Sequence, residues 1–267
     1  MRPNTIKNAF EFAESENRPA LLSYTVAGDN SKSNSLKILK SLSKYVDICE
    51  LGFPHNTPIA DGGQIQTSSY RSLKNGTKIK DVFNIVKMFK KGKLSKPIIL
   101  MGYYNIIFQY GESKFIKMCK ASGVDGIIVV DLPWPENINF SKLCKKNYIE
   151  FVQLISPTTS TSRAKKIIKS SHSMIYYISM LSTTGGRLKI TPKEIKNNYL
   201  KIKKLSKKKN CVIGFGITKD NIASFKTVDG LVVGSQICRE ISNSIKNKQK
   251  ITKNVDKLAK ILKRRII

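Results

Sequence analysis

Apolar residues along this chain fall into two alternating patterns. Short runs rich in Val, Ile and aromatic residues recur as ALLSYT (20–25), VDICEL (46–51), PIILMG (97–102), GIIVVD (126–131), EFVQLI (150–155), MIYYIS (174–179), CVIGFG (211–216) and GLVVGS (230–235). They have the length and composition of strands buried on both faces. Between them lie stretches with apolar positions at helical spacing: SLKILKSLSKY (35–45), TKIKDVFNIVKMFKKG (77–92), SKFIKMCKAS (113–122), SRAKKIIKS (162–170) and the C-terminal stretch 236–263. Strand–helix alternation predicts a parallel sheet. Eight such units predict a closed (β/α)8 TIM barrel, one domain over 1–267, with an extra N-terminal helix that presents Phe10 and Ala13 on one face. A doubly wound open sheet is the structural alternative, and the lack of a GxGxxG turn counts against it.

A barrel of this kind carries its chemistry at the C-terminal ends of its strands. That rule collects Glu50 at the end of the second strand, Asp61 on the loop after it, and Asp131 after the fourth. It also collects Thr184-Gly185-Gly186, Gly214-Phe215-Gly216 and Gly234-Ser235 after strands six, seven and eight. If Ile48 faces the barrel interior, alternation turns Glu50 inward as well. Glu50 and Asp61 suit either acid–base work on an organic substrate or plain loop capping. The glycines after strands seven and eight suit either a phosphate grip, through backbone N–H groups at a helix start, or tight turning. Asp131 reads as a loop anchor and His55 as a solvent-side loop residue. Tyr176 and Tyr177 alternate, one facing the barrel and one the helices.

Charge modifies this picture in one place. The 267 residues carry 48 Lys and Arg against 18 Asp and Glu, a formal net charge of +30. Most cations are lysines on helical segments such as KIKKLSKKKN (201–210), interleaved with Ile and Leu. That is the pattern of solvated helix faces, without the aromatic interleaving of a nucleic-acid surface. Yet no cation occurs between Tyr45 and Tyr70, the window that holds Asp47, Glu50 and Asp61. A neighbouring lysine would hold a proton-donating glutamate ionised, so the gap has a chemical motive. Five widely spaced cysteines without a CxxC pair imply buried thiols in a reducing cytoplasm, and two histidines leave little for a metal centre. No run reaches the roughly 18 apolar residues of a membrane span, and the N-terminus lacks the apolar core of a signal peptide.

Several stretches then fall into a known order. SYTVAGD (23–29), ELGFPHNTPIADGGQIQ (50–66), PIILMGYYN (97–105), GVDGIIVVDLP (123–133), SPTT (156–159), IYYIS (175–179), TTGGR (183–187), GFGI (214–217) and DGLVVGS (229–235) together resemble the tryptophan synthase alpha subunit family over nearly the full length. The resemblance implies a lyase that cleaves indole-3-glycerol phosphate to indole and glyceraldehyde 3-phosphate. It implies no cofactor in this chain and a pyridoxal-phosphate-dependent beta subunit as partner in an α2β2 heterotetramer. Carried over residue by residue, the family's two acids fall on Glu50 and Asp61. Its indole-pocket positions fall on Tyr24, Met101 and Tyr176, and its mobile-loop threonine on Thr184. Its phosphate contacts fall on Gly185, Gly214, Phe215, Gly216, Gly234 and Ser235. Asp131 corresponds to an aspartate near the partner surface. The chain departs from the family pattern at Asn56-Thr57 (Ser-Asp), Gly63 (Pro), Asn30 (Pro) and Ser182 (Gly). A different phosphate-sugar barrel, such as indoleglycerol-phosphate synthase, lacks support because no lysine stands at a strand end.

Overall fold

The computed structural model describes residues 5–179, 191–206 and 208–267. In chain order the elements are α1 (Thr5–Ser15), β1 (Ala20–Val26), α2 (Lys32–Leu42), β2 (Ile48–Gly52), α3 (Gly63–Lys74), α4 (Ile79–Lys90), β3 (Ile98–Gly102), α5 (Tyr104–Tyr110), α6 (Glu112–Ser122) and β4 (Gly126–Val129). They continue as α7 (Ile138–Lys146), β5 (Glu150–Phe151), β6 (Gln153–Ile155), α8 (Thr161–Ser170), β7 (Met174–Ile178), α9 (Pro192–Leu205), β8 (Asn210–Gly214), β9 (Gly230–Val233), α10 (Ser235–Lys246) and α11 (Ile251–Arg264). Every strand pairing is parallel, in the order β5-β4-β3-β2-β1-β9-β8-β7-β6. The two ends of that order flank Val152 in the chain, and the Val152 N–H donates to the Ile127 carbonyl. The ring therefore closes through a fifth barrel strand that is kinked at one residue, giving the expected (β/α)8 barrel.

Side-chain alternation divides the core in two. Leu22, Tyr24, Ile48, Met101, Tyr176 and Val212 belong to the cluster inside the barrel, whereas Leu21, Cys49, Leu51, Leu100, Tyr177 and Ile213 pack outward under the helices. All seven residues of β1 are buried, as a strand covered on both faces requires. Helix α1 closes the floor: Ile6, Phe10 and Ala13 join the interior cluster. Gly230 leaves room there for Phe10, whose ring lies 3.0 Å from where a Cβ would stand.

A device repeats along the floor. Asp47, Asp125 and Asp229 each follow a buried valine and precede β2, β4 and β9. Each accepts the N–H of the neighbouring strand and pairs with a cation. Asp47 takes Leu21 N–H (2.8 Å) and the two terminal guanidinium nitrogens of Arg18 (2.6 and 2.9 Å). Asp125 takes Ile98 N–H (2.8 Å) and Lys90 (2.9 Å), and Asp229 takes Cys211 N–H (2.8 Å) and Lys203 (2.6 Å). Strand-end amides are thus satisfied where the ladder begins.

One sequence expectation changes, and one helix lay outside the expected set. The C-terminal stretch 236–263 is two helices, because Asn247 caps the first and Lys248 turns through the left-handed region at φ 53°. Helix α3 has no apolar periodicity to read: its buried residues are Ile65, Ser68, Ser69 and Ser72. Serine can sit there because Ser69 and Ser72 bond to the carbonyls of His55 and Ala27.

Candidate active site

Glu50 sits on β2 opposite Tyr24 of β1 and Ile99 of β3 and is fully buried. Neither carboxyl oxygen has a hydrogen-bond partner in the protein. Burial alone pushes its carboxyl up to about 8, so the group is mostly neutral at pH 7. An unpaired buried carboxyl is costly for folding. Its retention marks a place where something other than stability decides.

Asp61 precedes the N-terminus of α3. Its Oδ2 accepts from the Tyr103 hydroxyl (3.1 Å), and its buried Oδ1 has no protein partner. Burial raises its carboxyl to about 6, opposed by the Tyr103 hydrogen bond. Both carboxyls act electrostatically on Tyr24 and Tyr176, whose phenols burial pushes well above their ordinary range. Glu50, Asp61, Tyr24 and Tyr176 therefore lie within electrostatic reach of one another. Asp61, Tyr24, Met101, Phe53, Ile65 and Tyr103 line one pocket, and Tyr24 is the strand neighbour of Glu50. Arg71, the first cation after the basic-free window, is turned away and holds Asp29 through two bonds of 2.7 and 2.8 Å.

Glycines make room for the two phenols. A Cβ on Gly52 would lie 2.2 Å from the Tyr24 hydroxyl, and one on Gly214 would lie 2.1 Å from that of Tyr176. After β8, Phe215 and Gly216 both take positive φ (69° and 72°), which turns successive amides toward one side. The Ser179 hydroxyl fixes this turn by bonding the carbonyls of Gly214 (2.9 Å) and Phe215 (2.7 Å). Gly234 stands at the N-cap of α10 and Ser235 opens the helix, with no side chain capping its first amides. Thr184 and Gly185, together with Ser182, lie outside the described residues.

Asp131 accepts the Tyr104 N–H (2.7 Å) at the start of α5, so it does anchor a loop. His55 departs from expectation. Rather than facing solvent, its ring lines the pocket and stacks on Tyr103 at 4.6 Å and 27°. Tyr103 was not singled out by the sequence reading, although it directly follows β3 and the mouth rule reaches it. Asn30 takes φ 66°, a conformation proline cannot adopt, so its departure from the family pattern is built into the turn before α2. All five cysteines are free and buried, and no group of His, Cys, Asp and Glu among the described residues has the arrangement of a metal site.

Comparison with known proteins agrees with this geometry. The family model described as "Tryptophan synthase alpha chain" matches residues 10–266. A tryptophan synthase alpha chain from Pelagibacter ubique is 66% identical over 261 residues, covering 98% of both chains. One from Methanococcus vannielii is 38% identical over 92% of this chain and 95% of its own. Among solved structures, the alpha subunit from Legionella pneumophila superposes with a TM-score of 0.90 at 32% identity, over 98% of both chains. The tryptophan synthase a2b2 complex of Pyrococcus furiosus contains a chain that superposes with a TM-score of 0.83 at 35% identity, over 92% and 98%. With its two enclosed carboxyls at the mouth of a (β/α)8 barrel, the chain belongs to the tryptophan synthase alpha chain family.

Proposed function

We propose that Glu50 and Asp61 carry the alpha-chain reaction, cleavage of indole-3-glycerol phosphate to indole and glyceraldehyde 3-phosphate. The observation that carries the assignment is the pair of enclosed carboxyls whose free oxygens have no protein partner. Direct departure of indole C3 as a carbanion is slow. Neutral Glu50 first protonates C3, which gives an indolenine with positive charge on nitrogen. The C3–glycerol bond then breaks, its electron pair restores the aromatic ring, and the glycerol hydroxyl becomes the aldehyde. Its proton returns to the Glu50 carboxylate, so the residue ends as it began. Ionised Asp61 uses Oδ1 to accept the indole N–H and stabilises the charge that develops there. Tyr24, Met101 and Tyr176 bound the indole, and the wide phenols require Gly52 and Gly214 beside them.

The substrate phosphate rests on the turned amides of Phe215 and Gly216 and on the uncapped start of α10 at Gly234 and Ser235. A beta subunit is the partner, as in the P. furiosus complex, and pyridoxal phosphate belongs to that subunit. Five free thiols fit a cytoplasmic setting, and no helix among the described residues is long and apolar enough to cross a membrane. The test is indole release from indole-3-glycerol phosphate with and without the cognate beta subunit. Glu50→Gln and Asp61→Asn should each lower turnover by at least about 100-fold. Full turnover by either variant would overturn its assigned role.

A further inference from the structure

The loop from His55 to Asp61 has little apolar support. Asn56 and Thr57 are exposed, Ile59 is 82% exposed, and the loop runs into Gly62 and Gly63, around which a Cβ would meet nothing within 4 Å. Asp61 nevertheless has to present one oxygen to a substrate. Polar and aromatic contacts hold the loop instead. The buried Ser69 of α3 clasps His55 by its main chain, accepting its N–H (2.9 Å) and donating to its carbonyl (2.9 Å). His55 Nδ1 accepts the Thr57 N–H (3.0 Å). Across the loop, the Tyr103 hydroxyl accepts the Ala60 N–H (3.0 Å) and donates to Asp61 Oδ2 (3.1 Å). The imidazole stacks on the Tyr103 ring with the planes inclined by 27°. It thus packs on the ring that carries the hydroxyl.

We propose that His55 is a positioning residue for the lyase reaction: its ring plane, stacked on Tyr103, keeps that hydroxyl on Asp61 and so aims the carboxylate's open oxygen. The inference rests on Asp61 being the indole anchor. Among the described residues the imidazole makes no hydrogen bond to either carboxyl, and its Nδ1 accepts the Thr57 amide. What the reaction needs from position 55 is therefore a flat ring held by Ser69, and its effect passes entirely through Tyr103. Loss of the ring should lower the rate of the chemical step more than it weakens substrate binding, because Asp61 acts as charge develops on nitrogen.

The experiment is steady-state indole release by the full chain with its cognate beta subunit, for His55→Ala, His55→Phe, Tyr103→Phe and the double variant His55→Ala/Tyr103→Phe. A denaturant melt of each variant confirms folding. His55→Ala should lower kcat about 10-fold while KM moves less than about 3-fold. His55→Phe, which keeps the stack and gives up the Thr57 acceptor, should stay within about 3-fold of the parent. In the Tyr103→Phe background, adding His55→Ala should change kcat by less than about 2-fold, since the hydroxyl it positions is already gone. Losses that multiply in the double variant, or a His55→Phe as slow as His55→Ala, would overturn the proposal. Retention of full turnover by Asp61→Asn would instead remove the role on which it rests, whatever the His55 variants do.

Discussion

Replacing Glu50 by Gln should make this protein more stable and inactive at once, and the stability gain should depend on pH. Burial pushes the carboxyl up to about 8 from its ordinary 4.5, because ionisation would place an unpaired charge in the protein interior. Unfolding releases it to water and to its ordinary value. Below pH 4.5 the group is protonated in both states and costs nothing extra. As pH rises past 4.5 the unfolded chain gains ionisation free energy that the folded chain cannot share, and the penalty grows until the folded group ionises near 8. At about 1.4 kcal/mol per pH unit, the penalty approaches about 3 kcal/mol at pH 7 and has a ceiling of about 5 kcal/mol above pH 8. Glutamine keeps the shape and removes the titration. Urea melts of parent and variant at pH 5, 7 and 9 should therefore diverge, with the variant ahead by a margin that widens with pH. Parallel curves across that range would refute the assignment of an enclosed, unpaired carboxyl, even if the variant lost all turnover.

Turnover itself should follow a bell, falling below about pH 6 as Asp61 takes up a proton and above about pH 8 as Glu50 gives its own away; a pH–rate profile of kcat/KM reads both limbs. Gly63→Pro should raise stability by about 0.5–1 kcal/mol, seen as a higher Tm. Gly63 is the first residue of α3, a site that suits proline. Gly62 before it is already extended (φ −73°, ψ 159°), and the position is open. Arg18→Met should cost about 3 kcal/mol in a denaturant melt, because it strips the buried Asp47 of a bidentate partner. Asp47→Asn in the same chain should recover part of that loss.

The strands and the inward direction of Glu50 were legible because burial on both faces writes β-rich runs into the sequence and a period of two assigns each side. Tyr176 and Tyr177 showed this directly, one ending in each core cluster. Helix α3 was hidden by the same logic: three of its four buried residues are serines, and Ser69 and Ser72 pack through hydrogen bonds to main-chain carbonyls rather than through apolar contact. The acids were legible through position at strand ends, whereas their perturbed acidity was not. Enclosure is a tertiary property, and nothing in the residues around 50 says that both oxygens go without a partner. His55 and Tyr103 escaped for a related reason. They stand 48 residues apart after adjacent strands, and only the sheet order brings one ring over the other.

The aspartates of the barrel floor bear on how such a ring comes to be closed at all. Each joins partners near in the chain: 26 residues separate Asp47 from Leu21, 27 separate Asp125 from Ile98, and 18 separate Asp229 from Cys211. The pairing of β1 with β9 instead brings together Ala20 and Gly230, roughly two hundred residues apart. Loop closure entropy makes that contact about 2 kcal/mol harder to form than any one clasp. Assembly of the ring can thus proceed by short steps, each latched by a carboxylate and a lysine or arginine, before the one distant edge is met. In a chain so rich in cations, these few acids act as fasteners for neighbouring segments, and the most expensive encounter of the search is left to elements that are already organised.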